Sequence, residues 1–340
     1  MAGRQIDWRK FTRFFVTFLL IVLEAVAAVI LMYHIFLKGI KLVYYSFYHD
    51  TVKEFMLPEF ASEFVPQGLD YIEEEDVYLI SGYIYKNKES RIFVIKPDGT
   101  YHMLKVLGRT GNPLRSHSGG ICESGEYIYM AGGNSQCYVF RKEDVLCEDN
   151  DTVKMAGNFP TYNSASFCCA EDGFLYVGEY YYRFKYTTRE EHHLITPYGD
   201  KNNATVSVFA VNDKEKYGVS EMPEKILSIP GRAQGMCLTD DGELIMSASS
   251  IFEGSQLYYY DYKEVLNATP DYIMVKEEKI PLLYLDRRFL VKEQEILPKA
   301  EELTFVDGRI YMLFESACSR FQYGKWLDGQ YVYSMDVTKE

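Results

Sequence analysis

The 340-residue sequence lacks the compact signatures of common chemistries. It has no P-loop, no Gly-x-Ser-x-Gly, no His-Glu-x-x-His and no EF-hand pattern, so no phosphate cradle, nucleophile elbow or metalloprotease helix is encoded locally. It is also short of positive charge. Against 49 Asp/Glu stand 36 Lys/Arg, for a net charge of −13, and no basic cluster interrupts the acidic body. Such a surface repels phosphate backbones and excludes nucleic acid as a partner. The seven Cys show no Cys-x-x-Cys or zinc-like spacing, which argues against a zinc ribbon. Tyr, by contrast, is abundant at 30 copies, a composition that favours strands and adhesive aromatic surfaces.

Long apolar runs are absent except for one, FFVTFLLIVLEAVAAVILMYHIFL at 14–37. Its length suffices to cross a bilayer as a helix. Arg4, Arg9, Lys10 and Arg13 precede it, and only Lys38 and Lys41 follow closely. The positive-inside bias therefore predicts a single-pass signal anchor in the cell membrane, with residues 1–13 a basic cytoplasmic tail and the rest outside. Residues 38–52 read as a juxtamembrane linker, in which Tyr44, Tyr45, Phe47 and Tyr48 are expected to form an interfacial aromatic belt. Ala25-Val26-Ala27 resembles a signal-peptidase site, but the apolar run continues well beyond it, which disfavours cleavage. Glu24 is costly in mid-membrane, by roughly 2.5–3.5 kcal/mol on insertion scales. Two readings stand: a partner helix facing Glu24, or a protonated and tolerated carboxyl.

The remainder repeats. QGLDYIEEEDVYLISGY from Gln67, GGICESGEYIYMAGG from Gly119, ASFCCAEDGFLYVGEYY from Ala165, QGMCLTDDGELIMSAS from Gln234 and EELTFVDGRIYMLFES from Glu301 share one plan. Each is a small or polar start, an apolar strand, a Gly- or acid-rich turn and a second strand. A third-strand landmark alternates with them at Ser90, Ser135, Thr205, Ser255 and Gly329. Four apolar segments, YHMLKVLG, DTVKMAGNF, EKILSIPG and EEKIPLLYL, are expected to supply fourth strands. Five such units with ring closure predict an all-β fold, a five-bladed β-propeller over 53–340, with six blades as the alternative. The last unit lacks a fourth strand, so 53–60 (KEFMLPEF) is expected to complete blade five and remove an open edge. Cys122, Cys168 and Cys237 share one strand position and read as small buried residues near a crowded axis.

Strand starts and the connections between second and third strands emerge on one face of a propeller. That face is expected to take a ligand or partner: a small molecule, a glycan or a protein. Candidate binding residues there are Gln67, His117, Glu179, Gln234, Glu302, Glu315 and Arg320. Two long insertions, 180–204 and 316–329, are rich in Tyr, Phe, Trp and Arg, which suits binding. Gln67 and Gln234 have the plainer reading of bonding to neighbouring strands. For Glu179 and Glu315 the plainer partners are Arg183 and Arg320, and His192-His193 read as surface residues. The alternative function is a cation-dependent hydrolase centred on Glu302, Glu315, Glu179 and His117, with calcium or another divalent cation; otherwise no cofactor is expected.

The motifs VPQGLDY, HSGGI, LYVGEY, AQGM and MLFESA resemble those of a poorly characterised group of bacterial secreted or membrane-anchored β-propeller proteins, over roughly residues 55–340. The resemblance implies an extracytoplasmic propeller and brings no catalytic residues. More distantly the chain is similar to gluconolactonase- and paraoxonase-type propellers, which hold calcium with Glu, Asn and Asp at their strand starts. Here those positions are mostly Gln, Gly, Ala and Ser, with Glu only at 301 and 302.

Overall fold

The computed structural model describes residues 8–57, 63–249 and 254–338. The chain divides into two compact units, Met1–Tyr45 and Ser46–Glu340. In the first, one helix runs Trp8–Val43 and buries none of its side chains. It is long and apolar enough to cross a membrane, about 54 Å at the usual rise.

The second unit is a five-bladed propeller. Blade 1 orders Phe64–Ile72, Val77–Ile84, Ser90–Ile95 and Tyr101–Leu107 from the axis outward, and blade 2 orders Ile121–Ser124, Tyr127–Ala131, Gln136–Arg141 and Gly157–Pro160. Blade 3 is Ala165–Glu171, Phe174–Glu179, Ala204–Ala210 and Lys225–Ile229; blade 4 is Ala233–Leu238, Glu243–Ala248, Ser255–Asp261 and Leu290–Ile296. Blade 5 takes Ala300–Val306, Arg309–Phe314 and Tyr331–Asp336 from the C-terminal end and Thr51–Met56 from before blade 1. Thr51 pairs with Met335 and Met56 with Tyr331, antiparallel, so one sheet joins the two ends of the ring. Residues 58–60, the rest of the expected closing segment, lie outside the described residues.

Two outer segments depart from the expected pattern. Of DTVKMAGNF, Thr152–Lys154 runs parallel to the outer strand of blade 1, and only Gly157–Pro160 belongs to blade 2. EEKIPLLYL does not end blade 4. Glu278–Tyr284 pairs parallel with Lys225–Ile229 and, with Asp271–Val275, extends blade 3 to six strands. The fourth strand of blade 4 is the polar LVKEQEI. An outermost strand has a solvent face and needs little apolar character, so hydrophobicity selected the wrong segment.

The core is layered between blades, because each strand buries alternate residues on both faces. Leu79, Ile92, Val94 and Leu104 of blade 1 pack on Ile121, Ile128, Met130 and Phe140 of blade 2. Phe55, Leu313 and Val332 of blade 5 pack on Phe64, Leu69, Ile80 and Phe93 of blade 1. Phe47 is 1% exposed and packs on Phe314 and Tyr333 at ring separations of 5.9 and 5.0 Å. The expected interfacial belt thus loses Phe47, whose burial in blade 5 outweighs any headgroup contact. At the axis the inner strands crowd. A Cβ on Gly120 would lie 2.1 Å from the Cys168 nitrogen, and one on Gly235 would lie 2.6 Å from Glu302 Cα.

Candidate functional site

The inner strands carry one irregularity repeated around the ring. Pairing of inner with second strand slips between Pro66 and Gly68, Ala165 and Phe167, Ala233 and Gly235, and Ala300 and Leu303. Each slip is a β-bulge, which kinks the strand and re-aims the extra side chain. The bulged residues are Gln67, Ser166, Gln234 and the pair Glu301-Glu302. Gln67, Ser166, Gln234 and Glu301, with Gly119 from blade 2, floor a single cavity of about 780 Å³. Its walls come from the ends of second strands and from both insertions, including Tyr83, Glu315, Tyr180, Lys185, Tyr186, Arg320 and Phe321.

Two carboxylates and five cations line this space. Glu301 is 3% exposed and accepts a hydrogen bond from Gln234 Nε2 at 3.0 Å. Burial first, and then Glu315, hold its carboxyl well above the usual range. Burial also raises Glu315, but Lys299, Arg320 and Lys185 oppose that shift. Lys299 Nζ stands 3.4 Å from Glu315 Oε2. The guanidinium of Arg320 lies over Tyr85 at 4.5 Å, not on Glu315 as a salt bridge; a planar cation is held by ring faces as well as by carboxylates. His117 presents its ring to the cavity, 5.2 Å from the ring of Tyr83. Desolvation among the cavity walls, and then Lys88, lower its pKa to about 4; the side chain itself is open to solvent at the cavity, and the direction of the shift favours the neutral imidazole.

Five of the seven candidates, Gln67, His117, Gln234, Glu315 and Arg320, therefore meet at one cavity; Glu179 and Glu302 do not line it. Glu302 is fully buried on the axis, accepting backbone N–H groups of Met236 at 3.3 Å and Cys168 at 3.4 Å. Burial drives its carboxyl well above the ordinary value. Glu179 is equally buried and does not pair with Arg183. It takes His192 Nδ1 at 2.6 Å, Thr205 N at 3.0 Å, Thr205 Oγ1 at 3.1 Å and Ser164 N at 3.1 Å. Its role is to bind the blade 3 insertion to the ring. His192 is accordingly not a surface residue: it is 5% exposed. Adjacency to acidic residues suggested exposure, but Glu179, 13 positions upstream, supplies the buried partner. The four carboxylate and imidazole groups of the hydrolase reading thus do not converge. Among the described residues no group of three His, Cys, Asp or Glu side chains is placed to hold a metal ion.

Glu301 is on this face as the strand start of unit five implies. Lys88, Arg115, Lys185 and Lys299 were not expected in the cavity; they come from turns, loops and insertions with no periodic signal.

No family model matches the chain, and no curated protein matches it. Among solved structures it is similar in chain path to Myxococcus xanthus glutaminyl cyclase, at 8% identity and TM-score 0.42, covering 84% of this chain and 94% of that one. It is also similar to the PQQ-bound form of aldose sugar dehydrogenase from Streptomyces coelicolor, at 12% identity and TM-score 0.44, covering 84% and 96%. A putative glucose dehydrogenase from Thermus thermophilus gives 13% identity and TM-score 0.42, covering 84% and 98%. At such values the blade count rests on the strand pairing of this chain alone.

Proposed function

We propose that this chain is a membrane-anchored, extracytoplasmic β-propeller that binds a small polar organic ligand on its loop-rich face. One observation carries the reading: four polar residues, delivered by a bulge repeated in four blades, floor a single cavity. Its volume of about 780 Å³ lies in the usual range for small-molecule sites. Bulges beside a site re-aim side chains at some cost to sheet pairing, and here they re-aim them at one place. The anchor and its orientation are supported by helix Trp8–Val43 and by the basic residues ahead of its apolar run.

The test is a thermal-shift screen of the full chain in detergent micelles against monosaccharides, disaccharides, sugar acids, amino acids and nucleotides at millimolar concentration. A ligand at 100-fold its Kd adds about 2.7 kcal/mol of stability, which raises Tm measurably. Stabilisation by at least one class, reduced in Gln67→Ala, is the expected result. No shift from any class would overturn the binding reading. Protease accessibility of the propeller in sealed cells tests the orientation separately.

A further inference from the structure

Charge in the cavity runs against charge in the rest of the molecule. Beyond residue 50 the chain has 30 Lys/Arg and 46 Asp/Glu, yet Lys88, Arg115, Lys185, Lys299 and Arg320 line the cavity with only Glu301 and Glu315. Two of these cations are already engaged: Lys299 with Glu315 at 3.4 Å and, weakly, Arg115 with Glu89 at 3.9 Å. The other three form no salt bridge among the described residues. They rest on aromatic rings instead: Lys88 over Tyr83 and Tyr85 at 4.4 and 4.8 Å, Lys185 over Tyr186 at 4.9 Å, and Arg320 over Tyr85 and Phe321 at 4.5 and 5.4 Å. A ring face orients a cation without neutralising it. Three oriented cations outside any salt bridge, two of them sharing the field of Glu315, raise the local concentration of anions around one concavity and hold them on arrival.

The floor has a different character. Gln67 is 2% exposed, lines the cavity and donates from Nε2 to the Pro66 carbonyl at 2.8 Å, which leaves its amide oxygen as an acceptor. Gln234 adds a second amide and His117 a neutral imidazole with one donor and one acceptor. Tyr83, Tyr180 and Tyr186 offer ring faces and hydroxyls beside them. Neutral amides, hydroxyls and aromatic faces below a cationic rim match a molecule with hydroxyls on a ring and a fixed negative charge at one end.

We infer that the ligand is an anionic saccharide, a sugar carrying a carboxylate or sulfate, with Lys88, Lys185 and Arg320 taking the acid group and Gln67, Gln234 and His117 the hydroxyls. This rests on the binding reading above and deepens it. The side chains of Lys185 and Arg320 are exposed, so replacing them leaves the fold intact.

The experiment is titration calorimetry of the full chain in micelles with uronic-acid disaccharides, sulfated disaccharides, the neutral parent of each, and sodium sulfate alone. At least one acidic sugar is expected to bind tenfold or more tightly than its neutral parent. Lys185→Gln and Arg320→Gln should each weaken that binding about tenfold, leave the neutral parent unchanged, and flatten the dependence of affinity on salt. Equal binding of acid and neutral forms, sulfate alone matching the acidic sugar, or affinity indifferent to both substitutions would overturn the inference. A neutral ligand from the thermal-shift screen that binds independently of Lys185 and Arg320 would also sink it, while preserving the cavity as a binding site. Silence across the whole screen would remove both.

Discussion

The two ends of the propeller axis are made from the same strands and differ in nearly everything else. At the cavity end, second and third strands are joined by insertions of very unequal length, and cations stand over tyrosines. At the opposite end, inner and second strands are joined by tight turns. Asp172-Gly173 and Asp307-Gly308 both adopt positive φ between the paired residues Glu171–Phe174 and Val306–Arg309, the Asp-Gly chemistry that suits the twist of a two-residue hairpin. Carboxylates gather there. Asp70 accepts the Glu123 N–H at 2.7 Å and the Thr304 hydroxyl at 3.3 Å. Burial pushes Asp70 up to about 8 and Glu171 up to about 7. The lesson is geometric and holds close to the axis: inner and second strands are joined there by tight turns with little room to vary, so the connections that can wall the axial opening lie at the cavity end.

Breaking the axis itself should affect both ends and give the largest effect. Gly120→Val forces side-chain atoms into the Cys168 backbone, and overpacking against backbone costs about 3 kcal/mol or more. A denaturant midpoint equal to the parent's would show that the inner strands are not in contact there. Next, Glu179→Gln replaces one buried acceptor oxygen by an amide NH2: the amide oxygen can keep the three bonds now made to Oε1, but the nitrogen then faces the Ser164 N–H as donor against donor. The expected loss is about 2 kcal/mol, with faster amide exchange over 188–205 and no change at the acidic turns. Uniform exchange across the molecule would contradict a local role.

The acidic end is tested by pH. Asp70 has a folded pKa raised from 3.8 to about 8, so the folded state holds the extra proton. Its contribution to stability is complete below pH 4 and is lost as pH rises through 8. Asp70→Asn, which stays neutral, should therefore stabilise at pH 8 relative to the parent and have little effect at pH 4. The gain is on the order of 1–2 kcal/mol, allowing for solvent screening of a carboxyl that is only partly buried. A gain at pH 4 larger than at pH 8 would reverse the argument. Smallest of all, Arg287→Ala breaks the exposed pair with Asp200 at the outer edge of the ring. It should shift the denaturant midpoint least of the four substitutions and leave both ends unchanged; measurable loss of ligand binding would link the outer edge to the cavity.

Much of this was readable beforehand, and for a physical reason. Alternating burial, hairpin turns and small residues at crowded strand starts are local demands, so five inner strands, five second strands and five third strands stand where their residues imply. Gln67, Gln234, His117, Glu315 and Arg320 share a face because their strand positions are equivalent. Outer strands were misassigned because a half-solvated edge imposes little pattern, as LVKEQEI shows. Partners of charged groups were misassigned because nearness in sequence stood in for nearness in space: Glu179 met His192, not Arg183, and Glu315 met Lys299.

The apolar N-terminal helix, the strand repeat and the crowding at Gly120 and Gly235 follow from hydrophobic length, period-two patterning and steric size, all properties of short stretches of chain. Folding decided which end became a cavity, which carboxylates were buried as props and which cations were left facing open space. Those outcomes depend on ring closure, which brings residues 50–56 against 331–336 and lays two distant insertions over one floor. Gln67 and Gln234 began as a repeated pair of letters; the slip in pairing around them is what turned their side chains toward a common space.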